Sequence, residues 1–253
     1  MTETPPILER HGAIARLRLN RPALRNRLGA DDLAVLLGHC ATLAADDSVR
    51  VVVFEAAGPV FSAGFDLDAL SRGDTGDAED GPGGIGRVGT ALAALPQPVI
   101  ARLHGNLYGG AVDLALACDF RIGVTGMELL MPAARIGLHY YRSGLARAVE
   151  RIGPDATRLL FVSAQTIDAA TLLQIGYLTQ LAAADGLDAA VDALAARLEA
   201  NAPLAVRGMK AAIARLAAGT LDGESFAAGL DAAHRNPVFI EAMGALRAKK
   251  RGG

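Results

Sequence analysis

Two stretches decide how this chain is read: Phe61–Leu70, FSAGFDLDAL, and Gly105–Asp119, GNLYGGAVDLALACD. In each, a turn of small residues runs into an apolar segment. Val51, Val52, Val53 and Phe54 ahead of the first turn read as a short buried strand, and Gly64 lets the chain bend so that the N–H of Phe65 is left free. In the second stretch, Gly109 and Gly110 stand just before an apolar helical run. The N–H of Gly110 therefore lies at a helix N-terminus, where no intrahelical carbonyl takes it. Two such donors brought to one point hold negative charge that develops on a carbonyl oxygen.

Working outward, Ala13–Leu19 alternates, with Ala15, Leu17 and Leu19 on one face and Arg16 and Arg18 on the other, which predicts a half-buried strand preceded by a turn at Glu9–Gly12. Asp31 is placed to cap a helix whose apolar stripe is Leu33, Leu36, Leu37, Cys40 and Leu43. Pro98–Leu103, Phe120–Val124 and Glu128–Met131 read as further short strands, interleaved with helices near Arg87–Leu95 and Gly110–Cys118. Strands alternating with helices imply an α/β fold. Ser71–Gly89 is rich in glycine, carries Asp74, Asp77, Glu79 and Asp80, and reads as a mobile surface loop. After Ser143 the pattern turns helical, as Gly144–Ile152, Asp155–Val162 and Asp168–Ile175, with a last strand at Leu178–Leu181. A shift to alanine-rich helices near residue 185 divides the chain into an α/β core, residues 1–185, and a helical region, residues 186–253. In that region Leu187, Val191, Leu194 and Leu198 recur at helical spacing and read as a surface for neighbouring subunits.

At 253 residues with 51% hydrophobic composition, the chain can build one large core, and a formal charge of −2 argues against a nucleic-acid surface. No apolar run is long enough to span a membrane, and the Met1–Pro6 start lacks the marks of a signal peptide. Cys40 and Cys118 lie far apart in apolar surroundings and read as buried free thiols of a reducing cytoplasm. No G-x-G-x-x-G follows the first strand, and there is no P-loop and no G-x-S-x-G elbow around Ser62 or Ser143. The five histidines show no metal-ligand spacing, so no metal is expected.

The two turns in this order, about 45 residues apart, with LPQPVIARLHG (residues 95–105) leading into the second, resemble the crotonase (enoyl-CoA hydratase/isomerase) superfamily. LNRPALRN (residues 19–26) and MPAARIGL (residues 131–138) extend the likeness, which covers residues 13–180 closely and the helical region loosely. The resemblance implies a spiral of β-β-α units with a C-terminal helical oligomerisation region that supports trimers or dimers of trimers. It also implies an acyl-CoA thioester substrate whose enolate is stabilised by the N–H groups of Phe65 and Gly110, with no cofactor beyond the CoA of the substrate.

Carried over position by position, the resemblance makes Asp113 the acid/base candidate, because many hydratases have a catalytic Glu there. As a bare sequence feature, Asp113 is also an ordinary helix-dipole acid. Asp is shorter than Glu by one methylene, about 1.5 Å of reach. The position of the second catalytic Glu is occupied by Ala133, which moves no proton, and Glu128 reads as structural. Tyr141, in His139-Tyr140-Tyr141, falls where some isomerases of the family have an Asp, although a tyrosine cluster at a helix entrance is more often pocket wall. Arg25 matches a basic position that meets CoA phosphates, and Ala63, Asp66 and Leu67 match the stretch whose backbone surrounds adenine and pantetheine. The tail cations Arg247, Lys249, Lys250 and Arg251 read as a solvated end. The resulting expectation is an enoyl-CoA hydratase/isomerase-type enzyme lacking the second Glu. Its rivals are a single-acid isomerase, decarboxylase or thioester hydrolase, and an acyl-CoA-binding protein that has lost the chemistry.

Overall fold

In a computed structural model, residues 4–73 and 76–251 are described, so Asp74 of the acidic stretch lies outside the described residues, as do the side chains of residues 247–251. The chain forms two compact units, Met1–Leu198 and Glu199–Gly253.

The first unit opens with a hairpin, β1 (Ile7–His11) antiparallel to β2 (Ile14–Leu19). The turn expected at Glu9–Gly12 is mostly strand: Glu9, Arg10 and His11 belong to β1, and Gly12, at φ +62°, makes the bend. β1 is an edge strand carrying charged, half-exposed residues, so it lacks the alternation that marks β2. Helix α1 (Ala30–Ala44) comes next in the chain and buries Leu33, Leu36, Cys40 and Leu43. Its N-cap is Gly29 rather than Asp31; the Asp32 carboxylate accepts the Gly29 N–H at 3.1 Å and the Arg21 guanidinium at 2.8 Å. Strand β3 (Val51–Ala56) then pairs with β2 on the side opposite β1, with all six residues buried, as expected of a parallel strand covered on both faces.

Helices α2 (Leu67–Ser71) and α3 (Ile85–Ala93) precede β4 (Val99–Leu103). The loop expected over Ser71–Gly89 is therefore only partly a loop. Its second half is ordered, with Ile85, Gly86, Val88 and Gly89 buried in α3. Several of the glycines that give this stretch the composition of a loop serve close packing. A Cβ on Gly83 would fall 2.7 Å from the Phe65 ring and one on Gly81 2.1 Å from the Tyr141 ring.

The remainder of the unit repeats a strand, a short strand and a helix. β5 (Leu107–Tyr108) and α4 (Gly110–Leu116) come after β4; then come β6 (Phe120–Val124), β7 (Glu128–Leu130) and α5 (Arg142–Phe161). Helix α5 is broken at Gly153, φ +74°, ahead of Pro154, which is why the sequence reads as two helices. β8 (Ile167–Asp168), α6 (Ala169–Gln174) capped by the Asp168 carboxylate, β9 (Gln180–Ala182) and α7 (Leu187–Ala200) complete the order. The main sheet runs β1-β2-β3-β4-β6-β9, parallel from β2 onward, and the short strands form a second sheet, β5-β7-β8. Cys40 and Cys118 are buried and unbridged, and burial pushes the Cys40 thiol up to about 11.

Helix α7 alters one expectation. Leu187 and Val191 are buried, and Leu194 and Leu198 pack against the same core, so these residues are covered by their own unit. The sequence reading begins the helical region at residue 186; the compact units divide at Leu198/Glu199. The second unit consists of α8 (Pro203–Ala217), α9 (Gly223–His234) and α10 (Pro237–Arg251). It leaves Met209, Ile213, Leu216 and Ile240 more than half exposed. Among the described residues, no helix is long and apolar enough to cross a membrane.

Asn26 ties the segment after β3 in place. Its buried side-chain amide lies 2.6 Å from the Ala57 carbonyl, 3.2 Å from that of Val60 and 3.1 Å from that of Phe61, and its Oδ1 accepts the Arg21 N–H at 2.9 Å. Asn26 holds a left-handed φ of +52°, a conformation asparagine tolerates better than most residues. Asn26→Ala strands these buried groups, and we expect a loss of about 2–3 kcal/mol in chemical denaturation. An unchanged midpoint would show that the segment is held by other means.

Candidate active site

Residues 61–66 lie against residues 25–28 as a short parallel ladder. Ala63 N–H donates to Arg25 O at 2.8 Å, Leu28 N–H to Gly64 O at 2.8 Å and Asp66 N–H to Leu28 O at 3.0 Å. Ser62 Oγ donates to Asn26 O at 2.7 Å and accepts the Gly64 N–H at 3.0 Å. In the parallel bridge between Leu28 and Phe65, the Gly64 carbonyl and the Asp66 N–H face Leu28, so the N–H of Phe65 turns away from it. Gly109, at φ +52° and ψ −123°, gives its N–H to Leu130 O and delivers Gly110 as the first residue of α4. Neither Phe65 N–H nor Gly110 N–H has an acceptor among the described residues.

Glycine brings the two turns together. A Cβ on Gly64 would fall 2.4 Å from the Tyr108 carbonyl oxygen and 3.2 Å from Gly110 N, and one on Gly110 would fall 3.8 Å from Phe65 N. Phe65 and Gly110 both line one cavity of about 360 Å³, whose walls include Leu70, Ile85, Met131, Ala133, Tyr140 and Tyr141. Of the residues singled out from sequence, Arg25, Ala63, Phe65, Leu67, Gly110 and Tyr141 line it. Asp66 does not: its carboxylate caps α2 through the Asp68 N–H at 2.9 Å and pairs with Arg27 at 3.2 Å. Arg25 is exposed, at a left-handed φ of +53°. Glu128 is exposed, and its backbone N–H donates to Asn106 Oδ1 at 2.9 Å.

Asp113 sits behind the wall rather than in it. It is 0% exposed, and its two oxygens are both taken, Oδ1 by the Arg147 guanidinium at 2.8 Å and Oδ2 by the Tyr141 hydroxyl at 2.8 Å. The Tyr140 hydroxyl donates to that of Tyr141 at 3.0 Å, and the two rings stack with centroids 4.2 Å apart. Burial pushes the Asp113 carboxyl above the ordinary carboxylate range, while Arg147 and the Tyr141 hydroxyl pull it back. Burial also holds both tyrosines well above the usual phenol range. Arg147 enters over Gly89, where a Cβ would fall 3.0 Å from its Nη2, and reaches Thr90 Oγ1 at 3.2 Å. Gly144 opens space for both tyrosine rings, since a Cβ there would lie 2.5 Å from Tyr140 and 2.7 Å from Tyr141.

Over residues 9–234 the sequence matches the family model described as enoyl-CoA hydratase/isomerase. The chain belongs to the enoyl-CoA hydratase/isomerase family. It is similar to a carnitinyl-CoA dehydratase of Citrobacter koseri, at 30% identity over 79% of this chain and 77% of the relative. Among solved structures, an enoyl-CoA hydratase/carnithine racemase from Magnetospirillum magneticum shares 30% identity, with a TM-score of 0.85 over 98% of this chain and 94% of the other. An enoyl-CoA hydratase of Mycobacterium smegmatis shares 27% identity, also with a TM-score of 0.85, over 98% of this chain and 97% of the other. The fold is thus that of the crotonase superfamily, and the chain is an acyl-CoA enzyme of the hydratase/isomerase type.

Two residues around the candidate site, Arg147 and Asn26, escape sequence reading, and a third, Tyr140, is visible only as part of His139-Tyr140-Tyr141. Arg147 is one of several arginines in α5, and nothing in its spacing marks it as the partner of Asp113. Tyr140 stands beside Tyr141, and the tyrosine pair is its only signal in the sequence. Asn26 is the last residue of LNRPALRN, directly after Arg25, and nothing in its spacing marks it as a tie to residues 57–61. Removing one member of a buried ion pair costs about 3–5 kcal/mol, because the other charge is left uncompensated. Arg147→Met is expected to lose that much in urea unfolding, and the double variant Arg147→Met/Asp113→Leu to recover part of it. Equal losses in the single and double variants would show that the pair does not act as a unit.

Proposed function

We propose that this enzyme binds an acyl-CoA thioester with its carbonyl oxygen between the N–H groups of Phe65 and Gly110, forms the thioester enolate there, and moves a single proton. The observation that carries the reading is two acceptor-free backbone donors in one apolar cavity whose wall offers alanine, at Ala133, where a second acid would stand. Preorganised donors in a water-poor site stabilise developing negative charge at little reorganisation cost. Arg25 is assigned to the CoA phosphates, and the backbone of Ala63, Asp66 and Leu67 to the adenine and pantetheine. Asp113 with Tyr141 forms the acid/base unit. CoA arrives as part of the substrate, and no further cofactor is assigned.

Hydration needs water activated at one carbon and a proton delivered to the next, and two positioned acids serve that reaction. Shifting a double bond from C3=C4 to C2=C3 takes a proton from C2 and returns it to C4, work for one group. We expect 3-hexenoyl-CoA to be isomerised faster than crotonyl-CoA is hydrated, both followed through the absorbance of the conjugated enoyl thioester. The likeness to carnitinyl-CoA dehydratases favours a second reading, addition or loss of water. Faster hydration than isomerisation would select it.

Gly110→Pro removes one donor and is expected to lower turnover about 10²–10³-fold. Gly110→Ala adds the same Cβ, 2.3 Å from Ile85 Cδ1, yet keeps the N–H. If the donor matters, Ala should retain far more activity than Pro; equal losses would assign the effect to crowding.

The exposed apolar residues of α8, α9 and α10, including Met209, Ile213, Phe226 and Ile240, we assign to contacts between copies in a homotrimer or dimer of trimers. Light scattering at micromolar concentration should return the corresponding mass, and a stable monomer would overturn the assignment.

A further inference from the structure

We infer that Tyr140, Tyr141 and Asp113 form an inward-directed proton relay, in which Tyr140 takes the substrate proton and Arg147 is the positioning residue that holds the relay's inner end. The inference rests on the proposed enolate chemistry and assigns Tyr140 and Arg147, which that reading leaves without a role.

The direction comes from counting hydrogens. Each tyrosine has one hydroxyl proton. An ionised Asp113 only accepts, so the 2.8 Å contact spends the Tyr141 proton on Asp113 Oδ2. Tyr141 then has none left for its 3.0 Å contact with Tyr140, which must donate. The Tyr140 oxygen, in a residue that lines the cavity, is left with lone pairs and no proton to offer. The relay's outer end is therefore an acceptor. Arg147 fixes this polarity: its Nη1 occupies Asp113 Oδ1 at 2.8 Å, so Oδ2 is the oxygen presented to Tyr141.

Proton transfer along the relay is balanced. The substrate C–H bond breaks and its proton bonds to Tyr140 Oη. The former Tyr140 proton passes to Tyr141 Oη, and the former Tyr141 proton passes to Asp113 Oδ2. The electron pair of the broken C–H bond forms the new C=C bond, and the carbonyl π pair moves to the thioester oxygen as the enolate. Reversing the three transfers returns a proton to carbon. Asp113, too short and too deep to touch substrate, acts through two hydroxyls, and its burial makes it a stronger base than an exposed Asp. The groups facing Asp113 are Arg147 of α5, Tyr141 and Tyr140 ahead of α5, and Tyr177, whose hydroxyl donates to Val112 O at 3.0 Å. From α3, the uncharged Thr90 holds Arg147.

The test is exchange of the α-hydrogens of butyryl-CoA in D2O, read by mass spectrometry across pH. The wild type should exchange, with the rate falling on the acid side as Asp113 protonates. Tyr140→Phe, which keeps the ring and the fold, should lower the rate about 10²-fold or more while butyryl-CoA still binds. Arg147→Gln removes the positive charge, so Asp113 protonates more readily and the acid limb should move to higher pH, a shift that simple loss of packing would not give. Tyr140→Phe at the full wild-type rate would overturn the relay and leave the enolate reading standing. An acid limb unmoved in a folded Arg147→Gln protein would remove Arg147 from it. A wild type that binds butyryl-CoA without exchange would overturn the enolate reading and the relay together.

Discussion

Two turns some 45 residues apart in sequence meet at one cavity, bringing Phe65 and Gly110, whose N–H groups have no acceptor among the described residues, into its lining, and the first unit is organised around that meeting. Backbone groups cannot be aimed by rotamer choice; they can only be aimed by fixing the chain on both sides. For Phe65 this is done by the ladder to residues 25–28, which consumes the N–H groups of Ala63 and Asp66 and the carbonyl of Gly64. Asn26 fixes the ladder in turn, because one side chain reaches three carbonyls of the segment after β3. For Gly110 the same work is done by Gly109, whose N–H is anchored to Leu130 O of β7. The small sheet β5-β7-β8 thereby positions the start of α4, and the main sheet positions the first turn.

The buried Asp113–Arg147 pair is poorly explained by stability. Taking two charges out of water costs several kcal/mol per ion before their attraction repays it, and well-packed apolar residues often serve a core as well. Here the pair is accompanied by two glycines, Gly89 and Gly144, whose missing side chains admit the guanidinium and the tyrosine rings. A core built for stability alone would fill those spaces. The arrangement instead maintains a polar line from helix α5 to the cavity wall, fully hydrogen-bonded along its length.

Much of this is legible in the sequence, for identifiable reasons. Val51–Phe54 is buried on both faces and therefore continuous in hydropathy, and each turn must carry glycine where backbones touch. The break in α5 shows as Gly153-Pro154. The features that escape it are set by tertiary context. β1 has the charged composition of a sheet edge, and Ser71–Gly89 has the composition of a loop although Gly81 and Gly83 accommodate aromatic rings. Leu187 and Val191 show helical spacing whether a helix packs on its own core or on a neighbour, and periodicity does not tell these apart. Depth is likewise invisible in sequence. Asp113 stands in the first turn of α4, as its place after Gly110 leads one to expect, yet its carboxylate is enclosed, and the polar surface near it is a tyrosine.

That enclosure bears on how the site can work. Among the described residues lining the cavity, Arg25 alone is charged, and it is exposed. A negative charge formed deep in the cavity meets no carboxylate in the wall to repel it, and apolar surroundings strengthen its interaction with the N–H dipoles of Phe65 and Gly110. A carboxylate placed directly in the wall would reach substrate but would also oppose the enolate it helps to form. On the proposed enolate chemistry, a carboxylate set behind the wall, paired with Arg147 on one oxygen and with the Tyr141 hydroxyl on the other, would serve as a base while its charge is held away from the oxyanion.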